Sequence, residues 1–114
     1  MELTVVERNS ELTLLALAGR LDAMGSMEIH THFMNLATSA GKLLIVDLAQ
    51  VSIITTMGIR MLLGTVKVLK TENVKMALLN PQPFVAKALR MASLNEFIPI
   101  LHDEKEARAL IKPE

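Results

Sequence analysis

The chain has 114 residues, 51% of them apolar, with 12 basic and 12 acidic side chains. That length and apolar content suit one packed core and exclude a disordered chain. A net charge of zero gives no general pull toward nucleic acid or anionic lipid, and the lack of cysteine excludes disulfides, thiolate zinc sites and thiol nucleophiles. Tryptophan and tyrosine are absent, so an aromatic stacking platform for single strands is hard to build. No run nears the roughly 18 apolar residues of a membrane span. The first residues carry acids where a signal peptide would be basic, so a cytoplasmic protein is expected.

Leu3 to Glu7 and Glu11 to Ala18 read as two strands joined by the polar turn Arg8-Asn9-Ser10, which predicts a hairpin. Leu12, Leu14 and Ala16 share one face of the second strand, and Leu15 and Leu17 share the other, so both faces are expected to be covered. Gly19-Arg20-Leu21-Asp22 breaks this pattern and is read as the start of a loop. Ser26 is then the candidate N-cap of a first helix, with Ile29, Phe33, Leu36, Ala37 and Ala40 as its core stripe and Gly41 as its C-terminal glycine. Leu43 to Leu48 is an apolar run interrupted only by Asp47, as expected of a central strand.

A second helix, from about Met57, carries Ile59, Leu62, Leu63, Val66 and Leu69 at core spacing and ends at Thr71-Glu72-Asn73. Val74 to Leu79 is the next strand, parallel to the previous one across this helix. Asn80-Pro81-Gln82-Pro83 stops it and opens a third helix, Phe84 to Ser93, striped by Val85, Ala88, Leu89 and Ala92. Ile98 to Leu101 is a short strand that Pro99 confines to an edge. Asp103 and Glu106 form a capping box for a last helix, Glu104 to Ile111, before Pro113. The expected architecture is α/β: one domain over residues 1–114, a single mixed sheet in the order ββαβαβαβα with helices packed on it.

Catalytic constellations are missing from this string. It holds no G-x-S-x-G, no H-E-x-x-H, no glycine-rich phosphate loop and no paired-carboxylate motif, so neither an enzyme nor a cofactor is expected. His30 and His32 lie two apart, which on a helix points them to different sides and prevents a shared metal ion. His102-Asp103-Glu104 is explained by capping, and Asp22 by a turn.

The junction Thr55-Thr56-Met57-Gly58 differs in kind. One threonine is expected to cap the second helix by accepting a backbone N–H. The same hydroxyl, if phosphorylated, would set close to two negative charges at the positive end of a helix dipole, where they are tolerated. Met57, Met61, Gly64 and Val68 form a second stripe beside Arg60 and Lys67, so an apolar strip borders a modifiable hydroxyl. Cap and modification site both stay open at this point.

The element order and several phrases resemble the STAS domain of bacterial anti-sigma-factor antagonists. The phrases are Gly19-Arg20-Leu21-Asp22, Ile45-Val46-Asp47-Leu48, Val51 through Ile59, Leu62-Leu63, Asn80-Pro81 and Ile100 to Glu104. The resemblance covers nearly the whole chain. In that family the loop before the second helix usually reads Asp-Ser-Ser-Gly or Asp-Ser-Thr-Gly, and its first hydroxyl is phosphorylated by a kinase that is also an anti-sigma factor. Anchoring on Gly58 implies Thr56 as phosphoacceptor, with Thr55 in place of the family's aspartate and Met57 in place of its second hydroxyl.

The resemblance further implies a partner-switching regulator. Its partners would be an anti-sigma factor acting as serine/threonine kinase and a cognate phosphatase, and its contact residues Asp22, Ser26, Thr55, Met57, Gly58, Arg60 and Met61. STAS-like domains also serve, without phosphate, as accessory subunits of ABC-type lipid-transport complexes. That is the alternative implied for this chain.

Overall fold

The computed structural model describes residues 1–111, and Pro113, expected to end the last helix, lies outside them. Five strands form one mixed sheet in sequence order: β1 (Glu2–Arg8), β2 (Leu12–Leu21), β3 (Leu43–Ile54), β4 (Lys75–Leu79) and β5 (Ile100–Leu101). Four helices connect and cover it: α1 (Ala23–Ala37), α2 (Thr56–Thr71), α3 (Pro83–Met91) and α4 (Glu104–Arg108). Short 3-10 turns follow α3 at Leu94–Glu96 and α4 at Ala109–Ile111. β1 and β2 form the antiparallel hairpin, and the β2–β3, β3–β4 and β4–β5 pairs are parallel. β3 sits at the centre and β5 at an edge.

Both faces of the sheet are buried at β2, β3 and β4, while β1 is largely exposed. Leu15, Leu17, Leu44, Val46, Leu48 and Leu78 pack against Ile29 and Phe33 of α1, Leu62, Val66 and Leu69 of α2, and Val85 and Leu89 of α3. On the reverse face Leu12, Leu14, Leu43, Ile45 and Leu79 are covered by Ala107, Leu110 and Ile111. Arg108 fastens this C-terminal cover. Its guanidinium donates to Glu104 Oε2 (2.8 Å from Nε) and to both carboxylate oxygens of Glu7 on β1. These bonds hold the Glu7 carboxyl below its ordinary pKa.

Several boundaries differ from expectation, and two of them matter for the site. Gly19-Arg20-Leu21 is strand rather than loop, because Gly19 takes φ +114° and lets β2 continue past an irregularity to Leu21. β3 likewise runs on to Ile54. Between Ala16 and Ala18 of β2, and again between Gly19 and Arg20, β3 carries one extra residue. Each insertion flips which side chains face inward, so Leu48, Val51 and Ile54 are buried at a spacing of three.

The remaining differences lie at helix ends. α1 stops at Ala37 with Thr38 as C-cap, and Gly41 instead turns the chain at φ +88°, with Ser10 O and the Glu11 carbonyl against its open side. Asp103 caps α4 by accepting from Lys105 N at 2.8 Å. Glu106 completes no capping box, since its side chain makes no hydrogen bond among the described residues. α3 ends at Met91, which leaves Ala92 exposed and puts Ala86 in the core.

Candidate interaction face at the start of the second helix

The C-terminal end of β2 seats two helix N-termini side by side. Gly25, in the first turn of α1, lies so close to the strand that an added Cβ would stand 2.0 Å from Arg20 O. Gly58, in the first turn of α2, would place a Cβ 2.5 Å from Leu21 O and 2.9 Å from both Leu21 Cγ and Ile54 Cγ1. Thr55 N donates to the same Leu21 carbonyl at 3.1 Å. Consecutive carbonyls of one strand therefore fix α1 and α2 relative to each other, and only glycine permits either approach.

The helix caps are not those expected. Asp22, not Ser26, caps α1: its Oδ1 accepts from Gly25 N at 2.8 Å and its Oδ2 from Arg20 Nε at 3.2 Å. Asp22 to Ser26 is thus a cap and a first helical turn, not a loop. The backbone N–H of Gly25 first, and Arg20 second, hold the Asp22 carboxyl below its ordinary value of 3.8. A carboxyl depressed in the fold stabilises fully above its unfolded pKa and loses that contribution as pH falls through the folded value. Asp22→Asn keeps an accepting oxygen but no charge, so it is expected to unfold at a lower temperature than wild type at neutral pH. Thermal midpoints measured down to about pH 2 should converge as the wild-type carboxyl protonates; a constant gap would exclude the charge as its cause.

Neither threonine caps α2. Thr55 occupies the N-cap position with extended backbone but makes no side-chain cap bond. Thr56 is the first helical residue, exposed, and its hydroxyl makes no hydrogen bond among the described residues. Met57 and Arg60 are exposed on the same end, Thr55 is half-buried, and Gly58 is buried. Met61 belongs to the core at 7% exposure, because α1 packs on that side of α2; Thr65 Oγ1 meets Met34 Sδ at 3.4 Å within the same contact. The expected second stripe is therefore broken at Met61, while Met57, Gly64 and Val68 stay exposed.

Between the two helices runs an open groove of about 350 Å³ lined by Ser26, Met27, His30, Met57, Arg60 and Met61. It unites four of the expected contact residues with Met27 and His30, neither of which was expected to be one. Met24 and Met27, 72% and 77% exposed, extend the apolar surface along α1. Their spacing of three, opposite the Ile29–Phe33 stripe, was the signal available for them. Ser26 lies at the groove floor with its Oγ buried and without a hydrogen-bond partner. Among the described residues no three His, Asp or Glu side chains are grouped to hold a metal ion, and no helix is long and apolar enough to cross a membrane.

A five-stranded mixed sheet that seats two helix N-termini on the end of one strand defines the STAS fold class. The model of the STAS domain family matches residues 4–107, and the chain belongs to that family. A search of curated proteins found no match.

Solved structures show the same fold. The chain is similar to the anti-sigma factor antagonist SpoIIAA in its unphosphorylated form, at 21% identity and a TM-score of 0.80, with 97% of this chain and 96% of that one covered. The phosphorylated form of the Bacillus cell fate determinant SpoIIAA aligns at 19% identity and 0.71, covering 96% and 99%. An anti-sigma factor antagonist from Mycobacterium paratuberculosis gives 15% and 0.84 over 98% and 96%. A sulfate transporter family protein from Wolinella succinogenes gives 14% and 0.71 over 85% and 81%.

Proposed function

We propose that this chain is a cytoplasmic, non-enzymatic regulator of the anti-sigma-factor antagonist type. It binds a serine/threonine kinase that doubles as anti-sigma factor, and it is switched by phosphorylation of Thr56. The observation that carries this reading is Thr56 itself: an exposed, unbonded hydroxyl on the first turn of α2, followed by the exposed Met57, which with Met27 lines the groove between α1 and α2. An unbonded hydroxyl can enter a kinase site without first losing a structural bond. The methionines offer a polarizable apolar face that adapts to a partner surface. The kinase would join Thr56 Oγ1 to the γ-phosphorus of ATP as the γ-phosphoanhydride bond breaks, releasing ADP and the hydroxyl proton. Occurrence of SpoIIAA in phosphorylated and unphosphorylated forms supports the reading.

The test is to incubate the protein with ATP and the serine/threonine anti-sigma-type kinases of the same organism, then map the phosphopeptide. Phosphate is expected on Thr56 and not on Thr55, which is half-buried and whose N–H is tied to Leu21 O. Modification of Thr55 alone, or of neither, would overturn the assignment.

Thr55 supports a second reading, in which the domain is an unphosphorylated accessory subunit of an ABC-type lipid-transport complex. No carboxylate stands at that N-cap. Co-purification with a transporter ATPase, unaffected by Thr56→Glu, would favour this reading over the first.

A further inference from the structure

The charges around the α1–α2 groove do not balance. At this end of the molecule Asp22 is paired with Arg20 at 3.2 Å, and Glu28 with the Met1 amine at 3.1 Å. That leaves Arg60 on α2 and His30 on α1, which line one groove and make no hydrogen bond or ion pair among the described residues. The groove floor adds the Ser26 hydroxyl, 5% exposed and without a partner. The N–H groups of the first turn of α2 receive no side-chain cap from Thr55. Every one of these groups can donate a hydrogen bond and the groove lining includes no carboxylate, so its chemistry suits an anion.

We infer that this anion is the phosphate on Thr56 itself, held by Arg60 and His30 in an internal clamp; the inference rests on Thr56 being the phosphoacceptor. Thr56 and Arg60 lie four apart on α2, one above the other on one helical face. Helical side chains lean toward the N-terminus, which brings the Arg60 guanidinium back over the first turn. A phosphothreonine presents close to two charges and three acceptor oxygens, which match the planar arginine fork. His30 lines the same groove as Arg60, on α1, and its imidazole N–H is the second donor of the clamp.

The clamp gives the switch a local mechanism. In the free form Arg60 stands at the groove rim, available to an acidic group on a partner. In the phosphorylated form it turns back onto phosphate and withdraws from that contact, while Met57 and Met61 stay in place.

The experiment needs no kinase. Phosphothreonine is installed at position 56 by chemical ligation, and the phosphate is titrated by ³¹P NMR in otherwise wild-type, Arg60→Gln and His30→Gln chains. Arg60 and His30 are exposed, so both variants should fold, and circular dichroism checks this. The second phosphate pKa is expected below the ordinary ~6, and to rise by roughly half a unit or more in Arg60→Gln. The imidazole resonances of His30 should move when Thr56 carries phosphate, and return when phosphatase removes it. If the phosphate titrates identically in all three chains, it projects into solvent and the clamp is wrong. Loss of partner affinity is a separate measurement: a clamped phosphoprotein that still binds the kinase tightly would overturn the proposed switch and leave the clamp standing.

Discussion

Gly58→Ala is expected to destabilise the protein by roughly 2 kcal/mol, although alanine is the better helix former by about 1 kcal/mol. The sign is set by what the new methyl group meets. Its Cβ would lie 2.5 Å from Leu21 O and 2.9 Å from Leu21 Cγ and Ile54 Cγ1. Real Cβ atoms do not approach a carbonyl that closely, so α2 must lift from the end of β2 or the strand must bend. Neither is cheap, because Leu21 is fully buried and its carbonyl also accepts from Thr55 N.

Gly25→Ala should be worse still, since its Cβ would lie 2.0 Å from Arg20 O in the turn that Asp22 caps. Gly64→Ala is the internal control. It lies on the exposed side of the same helix with nothing within 4 Å of an added Cβ, so only propensity acts and a gain of up to about 1 kcal/mol is expected. Urea unfolding of the three variants decides the matter. Gly58→Ala matching or exceeding wild type, alongside a stabilised Gly64→Ala, would show that the two helix N-termini are not fixed by this contact.

These glycines mark the limit of what could be read without coordinates. Gly25 and Gly58 have no positive φ; what they provide is close approach to the end of β2, which for Gly58 is a strand distant in sequence, and only the fold reveals that. The order of elements was readable because α1, α2 and the paired strands carry periodic apolar residues, and Pro99 marked β5 as an edge. β3 beyond Leu48 was not readable, because two extra residues convert an alternating pattern into buried positions at 48, 51 and 54. A spacing of three does not register as a strand. The cap of α1 was misplaced for a related reason: Asp22 looked like part of a turn because β2 had been ended before Gly19. Moving the strand end to Leu21 makes Asp22 the next residue and turns Ser26 inward. At the site itself, Thr56 was reachable from family register and Met57 and Arg60 from helical spacing. His30 was not, and Met27 only as an exposed position by its spacing, because their place in the groove depends on how α1 packs against α2.

Thr56→Glu is expected to weaken binding to the partner kinase by about 100-fold or more, with almost no change in the stability of the isolated domain. The two halves of this statement have different causes. Stability is spared because residue 56 is exposed, makes no side-chain bond, and sits in the first turn of a helix, where a carboxylate is favoured by the dipole. Binding suffers because the same residue adjoins Met57, which with Met27 lines the apolar groove between α1 and α2. A partner that covers this face must desolvate the new charge, and burying an imperfectly paired carboxylate typically costs about 2–5 kcal/mol, or roughly 30- to 4000-fold in affinity. Thr56→Ser retains the hydroxyl and should bind and accept phosphate as wild type does. Thr56→Val removes the hydroxyl but keeps the shape, and should bind normally while resisting the kinase. Calorimetric titration of the four proteins against the purified kinase separates charge from shape. Equal affinity for Thr56→Glu and wild type would place the partner elsewhere on the domain, and with it would fall the role assigned to the start of α2.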